Sequence, residues 1–158
     1  MHLKKALIFG IGNPGRGDDG LGPALIDRLR QETADANPKE TNPVCVCKYQ
    51  LNIVDAYAIK DHDLVVFADA TASDESAAAL AEVFPSDTIA FTTHRMSPAS
   101  VLALCHELFG RAPKAYILSI RGYNWDIGEG LSPRAEENLA QALDMLLRFL
   151  ADNPPTPR

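Results

Sequence analysis

The apolar residues of this chain fall into short blocks that alternate between two periods. Ala6-Leu7-Ile8-Phe9 is an unbroken apolar run of strand length, closed by glycines. After Pro23, the residues Ala24, Leu25, Ile26 and Leu29 recur at helical spacing and predict a first helix. Glu32 to Pro43 is polar with two prolines and reads as a surface loop. Val44-Cys45-Val46-Cys47-Lys48-Tyr49-Gln50 predicts a second strand, and Asn52 to Lys60 a short, weak helix. Leu64-Val65-Val66-Phe67-Ala68 is almost continuously apolar, the pattern of a strand buried on both faces of a parallel sheet, and it ends in Asp69. Ala77 to Phe84 suits an edge strand. Thr88 to Thr92 suits a further short strand or extended segment that delivers Thr93-His94-Arg95-Met96 into a loop. Ser97-Pro98 has the form of an N-cap followed by proline at the first helical position, with Val101, Leu102, Leu104, Cys105 and Leu108 on the helix and Gly110 near its stop. Ala115 to Ile120 is the last strand, Arg121 to Leu131 a loop holding the one tryptophan, Trp125, and Ser132-Pro133 opens a final helix running to about Leu150.

Strands alternating with helices at this spacing imply an α/β fold, a single open, mostly parallel twisted sheet with helices on both faces. Residues 1–151 are expected to form one domain, and 152–158, with three prolines, a flexible C-terminal tail. The net charge of −6 among 158 residues argues against nucleic-acid binding, which needs a basic face. No apolar run approaches the roughly 20 residues of a membrane span, and Met1-His2-Leu3-Lys4-Lys5 does not lead into a signal-peptide core, so a cytoplasmic protein is expected. Without a sustained heptad pattern the default is a monomer. The three cysteines, Cys45, Cys47 and Cys105, fit neither a disulfide framework nor a zinc motif and read as reduced packing residues.

Candidate chemistry gathers after the first strand, in Gly10-Ile11-Gly12-Asn13-Pro14-Gly15-Arg16-Gly17-Asp18-Asp19-Gly20-Leu21-Gly22. Gly10-x-Gly12-x-x-Gly15 satisfies the dinucleotide-binding spacing. The two adjacent acids, however, put charge of the wrong sign where a pyrophosphate would sit, and the second strand ends without an acid for a ribose. The loop also lacks the Lys-Ser/Thr ending of a P-loop. Ligands of open α/β sheets bind outside the carboxyl ends of the strands. Asp18 and Asp19 after the first strand, Asp69 at the end of the third and His94 just past a later one could therefore converge on one edge. Taken singly, each has a plainer explanation: Asp18 and Asp19 as helix caps, Asp69 as the cap of the next segment, His94 as a solvated histidine. His2, His62 and His106 have no apparent part. Asn13 could order the glycine loop through its side chain. Tyr123 and Trp125 could line a substrate groove or simply cover the sheet edge.

Gly10-Ile11-Gly12-Asn13 with Gly17-Asp18-Asp19-Gly20-x-Gly22 resembles the opening motif of the hydrogenase maturation endopeptidases. The likeness continues in Val65-Val66-Phe67-Ala68-Asp69-Ala70, in Thr93-His94 before a Ser-Pro helix start, and in Gly128-Glu129-Gly130-Leu131-Ser132-Pro133 before the last helix, so it covers most of the chain in order. The resemblance implies a hydrolase, a metal-dependent peptidase that removes the C-terminal extension of a [NiFe] hydrogenase large-subunit precursor after nickel insertion. It implies metal ligands at Asp19, Asp69 and His94, where some members carry Glu in place of Asp19. Gly12, Asn13 and Asp18 would bind substrate or order the loop, and no catalytic nucleophile is assigned. Nickel would be borne by the substrate and recognised rather than kept, with zinc or cadmium able to substitute in crystals. Two carboxylates and an imidazole suit such borderline ions and leave coordination positions open. Two other readings stand beside this one: a chaperone that inspects the nickel site without cleaving, and a dinucleotide-binding oxidoreductase.

Overall fold

A computed structural model describes residues 6–35, 42–73, 76–90 and 95–153 of the chain. The apolar runs become strands β1 (Ala6–Ile11), β2 (Val44–Lys48), β3 (Leu64–Thr71), β4 (Ala78–Val83) and β5 (Lys114–Arg121). Between and after them lie helices α1 (Leu21–Thr33), α2 (Ile53–Ile59), α3 (Pro98–Phe109) and α4 (Pro133–Asp152). The strands form one sheet in the order β2-β1-β3-β5-β4. β1, β2, β3 and β5 run parallel, and only β4 is antiparallel, against β5. The open α/β architecture expected from the alternation is thus the one observed.

Strand side chains alternate between faces, so each central strand supplies two cores. Leu7, Phe9, Val65 and Phe67 point to the side covered by α2 and α3, joining Leu51, Ala56, Ile59, Val101, Leu102 and Cys105. Phe9 and Phe67, paired in register, stack with ring centroids 5.4 Å apart. Ile8, Val66, Ala68, Leu118 and Ile120 point the other way, onto Leu21, Leu25, Ile26 and Leu29 of α1 and Ala135, Leu139, Ala142 and Leu146 of α4. Burying Val, Leu, Ile and Phe side chains of this kind contributes about 1.5–3 kcal/mol each, so the paired cores dominate the stability of the fold.

The helix ends follow from local chemistry. Asn52 caps α2 in a capping box, its Oδ1 accepting from the Val54 N–H while Asp55 Oδ2 accepts from the Asn52 N–H. Asp55 is itself buried against the β2 terminus, 3.1 Å from Lys48 Nζ. Ser97 and Ser132 cap α3 and α4 ahead of prolines, and α3 stops at Gly110 in the left-handed conformation.

Three boundaries differ from the sequence expectation. Helix α1 continues to Thr33, into the start of the polar stretch, because Thr33 bonds back to the Leu29 carbonyl with its own hydroxyl. β3 runs two residues past Asp69, pairing Ala70 and Thr71 with Ile120 and Arg121 of β5, so Asp69 lies near the strand's carboxyl end rather than at its last position. Thr88 to Ala90 is not a strand. The Ala90 N–H donates to Ser100 Oγ of α3 and the Thr88 carbonyl accepts from Ser86 Oγ, while the Ser86 N–H donates to the Ala99 carbonyl of α3. Phe91, Thr92 and the expected tail residues 154–158 lie outside the described residues. Among the described residues no helix is long and apolar enough to cross a membrane.

Candidate functional site

β1 delivers the chain at its carboxyl end into a loop that folds back on itself. At Gly12, φ is +138°, and a Cβ there would stand 1.9 Å from the Asp19 carbonyl oxygen. Only glycine permits that approach, and it brings Asp19 against the end of β1. The loop amides are then consumed by the protein itself. The Gly12 N–H donates to the Lys48 carbonyl at the end of β2, the Asn13 N–H to Asp19 Oδ2 at 2.8 Å, and the Gly15 N–H to Asn13 Oδ1 at 2.9 Å. Arg16 and Asp19 N–H groups close turns onto Asn13 and Arg16, and the Gly17 N–H bonds the Gly128 carbonyl. A dinucleotide loop presents its amides to a pyrophosphate. Here the N–H groups of residues 12, 13 and 15–19 are all filled by protein acceptors, Asp18 bonding the Asn124 carbonyl. Asn13 therefore does order the loop, through its side-chain acceptor.

Asp18 and Asp19 share a 3-10 turn, Gly17–Gly20, yet face different surroundings. Asp18 is fully buried. Its Oδ2 accepts from the backbone N–H groups of Tyr123 and Asn124 and from Ser132 Oγ, and its Oδ1 accepts from the Ser132 N–H, all within 2.7–2.9 Å. Burial pushes its carboxyl up, but the four donors outweigh burial and hold the pKa below the ordinary carboxylate value. Asp18 is thus the tie between the glycine loop and the β5–α4 connection rather than a helix cap.

Asp19 instead lines a cavity of about 100 Å³ at the carboxyl ends of β1, β2 and β3. Asp69, adjacent to Ile11 in the β1–β3 ladder, lines the same cavity. Tyr49, Gln50 and Leu51 supply the wall after β2, and Arg95, Met96 and Pro98 the wall before α3. Burial raises the Asp69 carboxyl to a pKa of about 6; the bond from the Ala70 N–H opposes the rise, the neighbouring charge of Asp19 adds to it, and Arg95 opposes it. Asp19 is held by one oxygen, Oδ2, while its Oδ1 has no hydrogen-bond partner among the described residues. A pair of acids in one cleft, one of them reluctant to ionise, is an arrangement that a cation would relieve.

Of the three residues expected as metal ligands, Asp19 and Asp69 are therefore brought to one cavity, while His94 lies outside the described residues. Among the described residues no three His, Cys, Asp or Glu side chains form a group that could hold a metal. Tyr123 and Trp125 do not line this cavity. The guanidinium groups of Arg121 and Arg134 both stack against the Tyr123 ring, whose hydroxyl accepts from Asn138 Nδ2, while the Trp125 ring packs over Gly122. Tyr123 instead lines a separate surface pocket with Ser76, Ala77, Arg121, Arg134 and Asn138, held there by arginine stacking, and close packing accounts for Trp125. His62 bonds the Ala58 carbonyl at the surface and His106 is exposed on α3. The cysteines are free thiols, each raised by burial above the ordinary thiol pKa. Tyr49, Gln50 and Arg95 were not singled out by sequence. Their signal was present in position alone, just past the end of β2 and immediately after His94.

No family model and no curated protein sequence matches this chain. Among solved structures it is similar to the hydrogenase maturating endopeptidase HybD from E. coli, at 18% identity and a TM-score of 0.72 over 96% of this chain and 97% of that one. It is also similar to a [NiFe] hydrogenase maturation protease HycI from Thermococcus kodakarensis KOD1, with 21% identity, a TM-score of 0.68 and 94% of each chain covered. A hydrogenase 2 maturation peptidase from a Thaumarchaeota archaeon matches at 18% identity and a TM-score of 0.64, over 94% of this chain and 99% of that one. Across nearly its whole length, this chain has the fold of the [NiFe] hydrogenase maturation proteases.

Proposed function

We propose that this chain is an endopeptidase that removes the C-terminal extension of a [NiFe] hydrogenase large-subunit precursor once nickel has been inserted. The observation that carries the reading is the shared cavity of Asp19 and Asp69 at the carboxyl edge of the sheet, on a fold matched by proteases of hydrogenase maturation. The nickel belongs to the substrate. Asp19 would meet it with Oδ1, since Oδ2 is engaged by the Asn13 N–H. Asp69 would meet it as the carboxylate, exchanging its proton for the ion. His94 is assigned as the third ligand on the sequence resemblance.

Two oxygens and one imidazole nitrogen fit a borderline divalent ion and leave positions for ligands of the precursor. A divalent ion held by Asp19, Asp69 and His94 would supply Lewis acidity toward the scissile carbonyl or lower the pKa of an attacking water. The protein's own contribution is positional. The glycine loop fixes Asp19, the β3–β1 ladder fixes Asp69, and the buried Asp18 fixes the far side of the loop. The chain needs no nickel of its own in this reading. Zinc or cadmium would serve as surrogates.

Nickel-loaded and nickel-free precursor, each mixed with purified protein, provide the test. Shortening of the loaded form alone is expected; equal cleavage of both, or of neither, would count against nickel recognition. Asp19→Asn, Asp69→Asn and His94→Gln should each abolish processing with the fold retained. Stoichiometric binding without a shortened product would instead identify a chaperone that inspects the site.

A further inference from the structure

The cavity of Asp19 and Asp69 has one cationic side chain among its described lining residues, Arg95. Its backbone is not a free loop. The N–H of Met96 donates to the Leu51 carbonyl at 3.1 Å, and both Met96 and Leu51 are buried, so the segment carrying Arg95 is pinned beside the turn after β2. The side chain leaves this anchor exposed, with its Nε donating to Gln50 Oε1 at 3.4 Å. Its Nη groups have no hydrogen-bond partner among the described residues. A guanidinium carries five donors in a planar fork. Here one is used by Gln50, which steers the group, and the fork faces a cavity whose other charged lining is acidic.

We propose that Arg95, steered by Gln50, is a substrate-holding residue that takes an acceptor oxygen of the peptide entering this cavity, either a main-chain carbonyl or a side-chain carboxylate. The inference rests on the peptidase reading of the site and adds to it a donor arm. A peptide chain is rich in carbonyl acceptors, and the two acids opposite offer such oxygens only repulsion. A fork held by one bond and open at its other nitrogens supplies the missing attraction and can grip an oxygen pair bidentately. Lysine keeps the charge and loses the fork, so the two contributions are separable.

The test compares wild type with Arg95→Lys, Arg95→Ala and Gln50→Ala, using purified nickel-loaded large-subunit precursor for processing. A fluorescent synthetic peptide covering the precursor's processing region reports binding by anisotropy without requiring cleavage. Arg95→Ala is expected to raise KM and the peptide Kd roughly tenfold or more, as loss of a charge-assisted bond does, while kcat changes by no more than about threefold. Arg95→Lys should fall between, and Gln50→Ala should weaken binding less than Arg95→Ala. Replacing acidic residues of the peptide by their amides distinguishes the sources: a lost Arg95 effect identifies a carboxylate, a preserved one a main-chain carbonyl. Unchanged KM and Kd in Arg95→Ala would overturn the assignment. If wild type binds the peptide through Arg95 but shortens no precursor, the peptidase reading falls and the Arg95 contact stands. A wild-type chain that neither binds nor cleaves overturns both.

Discussion

Asp18 and Asp19 are neighbours of one residue type in one short turn, and their side chains do unrelated work. Asp18 gathers four donors in a fully buried position, three of them backbone N–H groups more than 100 residues further along the chain. Removing that acceptor strands buried donors, whereas removing Asp19 costs one hydrogen bond from the Asn13 N–H. Asp18→Ala should therefore destabilise the chain by about 3–5 kcal/mol and Asp19→Ala by about 1 kcal/mol, measured by urea denaturation at pH 7. Similar losses for both would refute the division of labour. Gly12→Ala should be as damaging as the Asp18 change, because its Cβ would collide with the Asp19 carbonyl at a φ that L-residues avoid. Sequence reading placed both acids at a helix start, which was correct locally. It could not tell a tie from a ligand, since the partners of Asp18 come from the β5–α4 loop and local spacing carries no sign of them.

At the scale of elements, what could be read from the sequence is what neighbouring residues decide. The Ser97-Pro98 and Ser132-Pro133 starts, the Gly110 stop and the apolar runs of β1, β3 and β5 all came through, because caps and strand burial depend on residues within one turn or one ladder. Thr88 to Ala90 had strand composition but bonds Ser86 and, on α3, Ser100 instead of a neighbouring strand, a choice made by tertiary packing. The same limit applied to the cavity. Asp19 and Asp69 were placed by the rule that ligands sit at the carboxyl ends of strands, while Tyr49, Gln50 and Arg95 emerged only when β2 and the approach to α3 were set beside them. Ser132 joins both kinds of information, since its hydroxyl accepts from the Ala135 N–H as a cap and donates to Asp18 as a tie. Ser132→Ala should cost about 1–2 kcal/mol. It should also speed amide exchange at Tyr123 and Asn124, which share Asp18 Oδ2 with that hydroxyl, and an exchange change confined to the first turn of α4 would show that the cap alone matters.

Over the whole molecule, two carboxyls shifted in opposite directions give the pH profile opposing slopes. Asp18 has a folded pKa below its ordinary value of 3.8, so its stabilisation is present above that value and is lost as pH falls through the folded pKa. Asp69 has a folded pKa of about 6, so between roughly pH 4 and 6 the native state holds a proton that the unfolded chain has released. Stability arising from that group therefore declines as pH rises through this interval. Partial exposure and solvent screening reduce the effect to on the order of 1–2 kcal/mol. Asp69→Asn cannot titrate, so its stability relative to wild type should rise from pH 4 to pH 7 by that amount and level off above. Asp18→Asn should differ from wild type most at neutral pH, the difference shrinking as pH falls well below the ordinary carboxylate value. A divalent ion competes with the Asp69 proton, so the affinity of the metal-free chain for Ni²⁺ or Cd²⁺ should climb with pH through about 6 and flatten beyond it, with proton release that calorimetry in buffers of different ionisation enthalpy can count. Affinity independent of pH between 5 and 7, or a pH dependence left undiminished in Asp69→Asn, would remove Asp69 from the ion's coordination and leave its raised pKa as a consequence of burial alone.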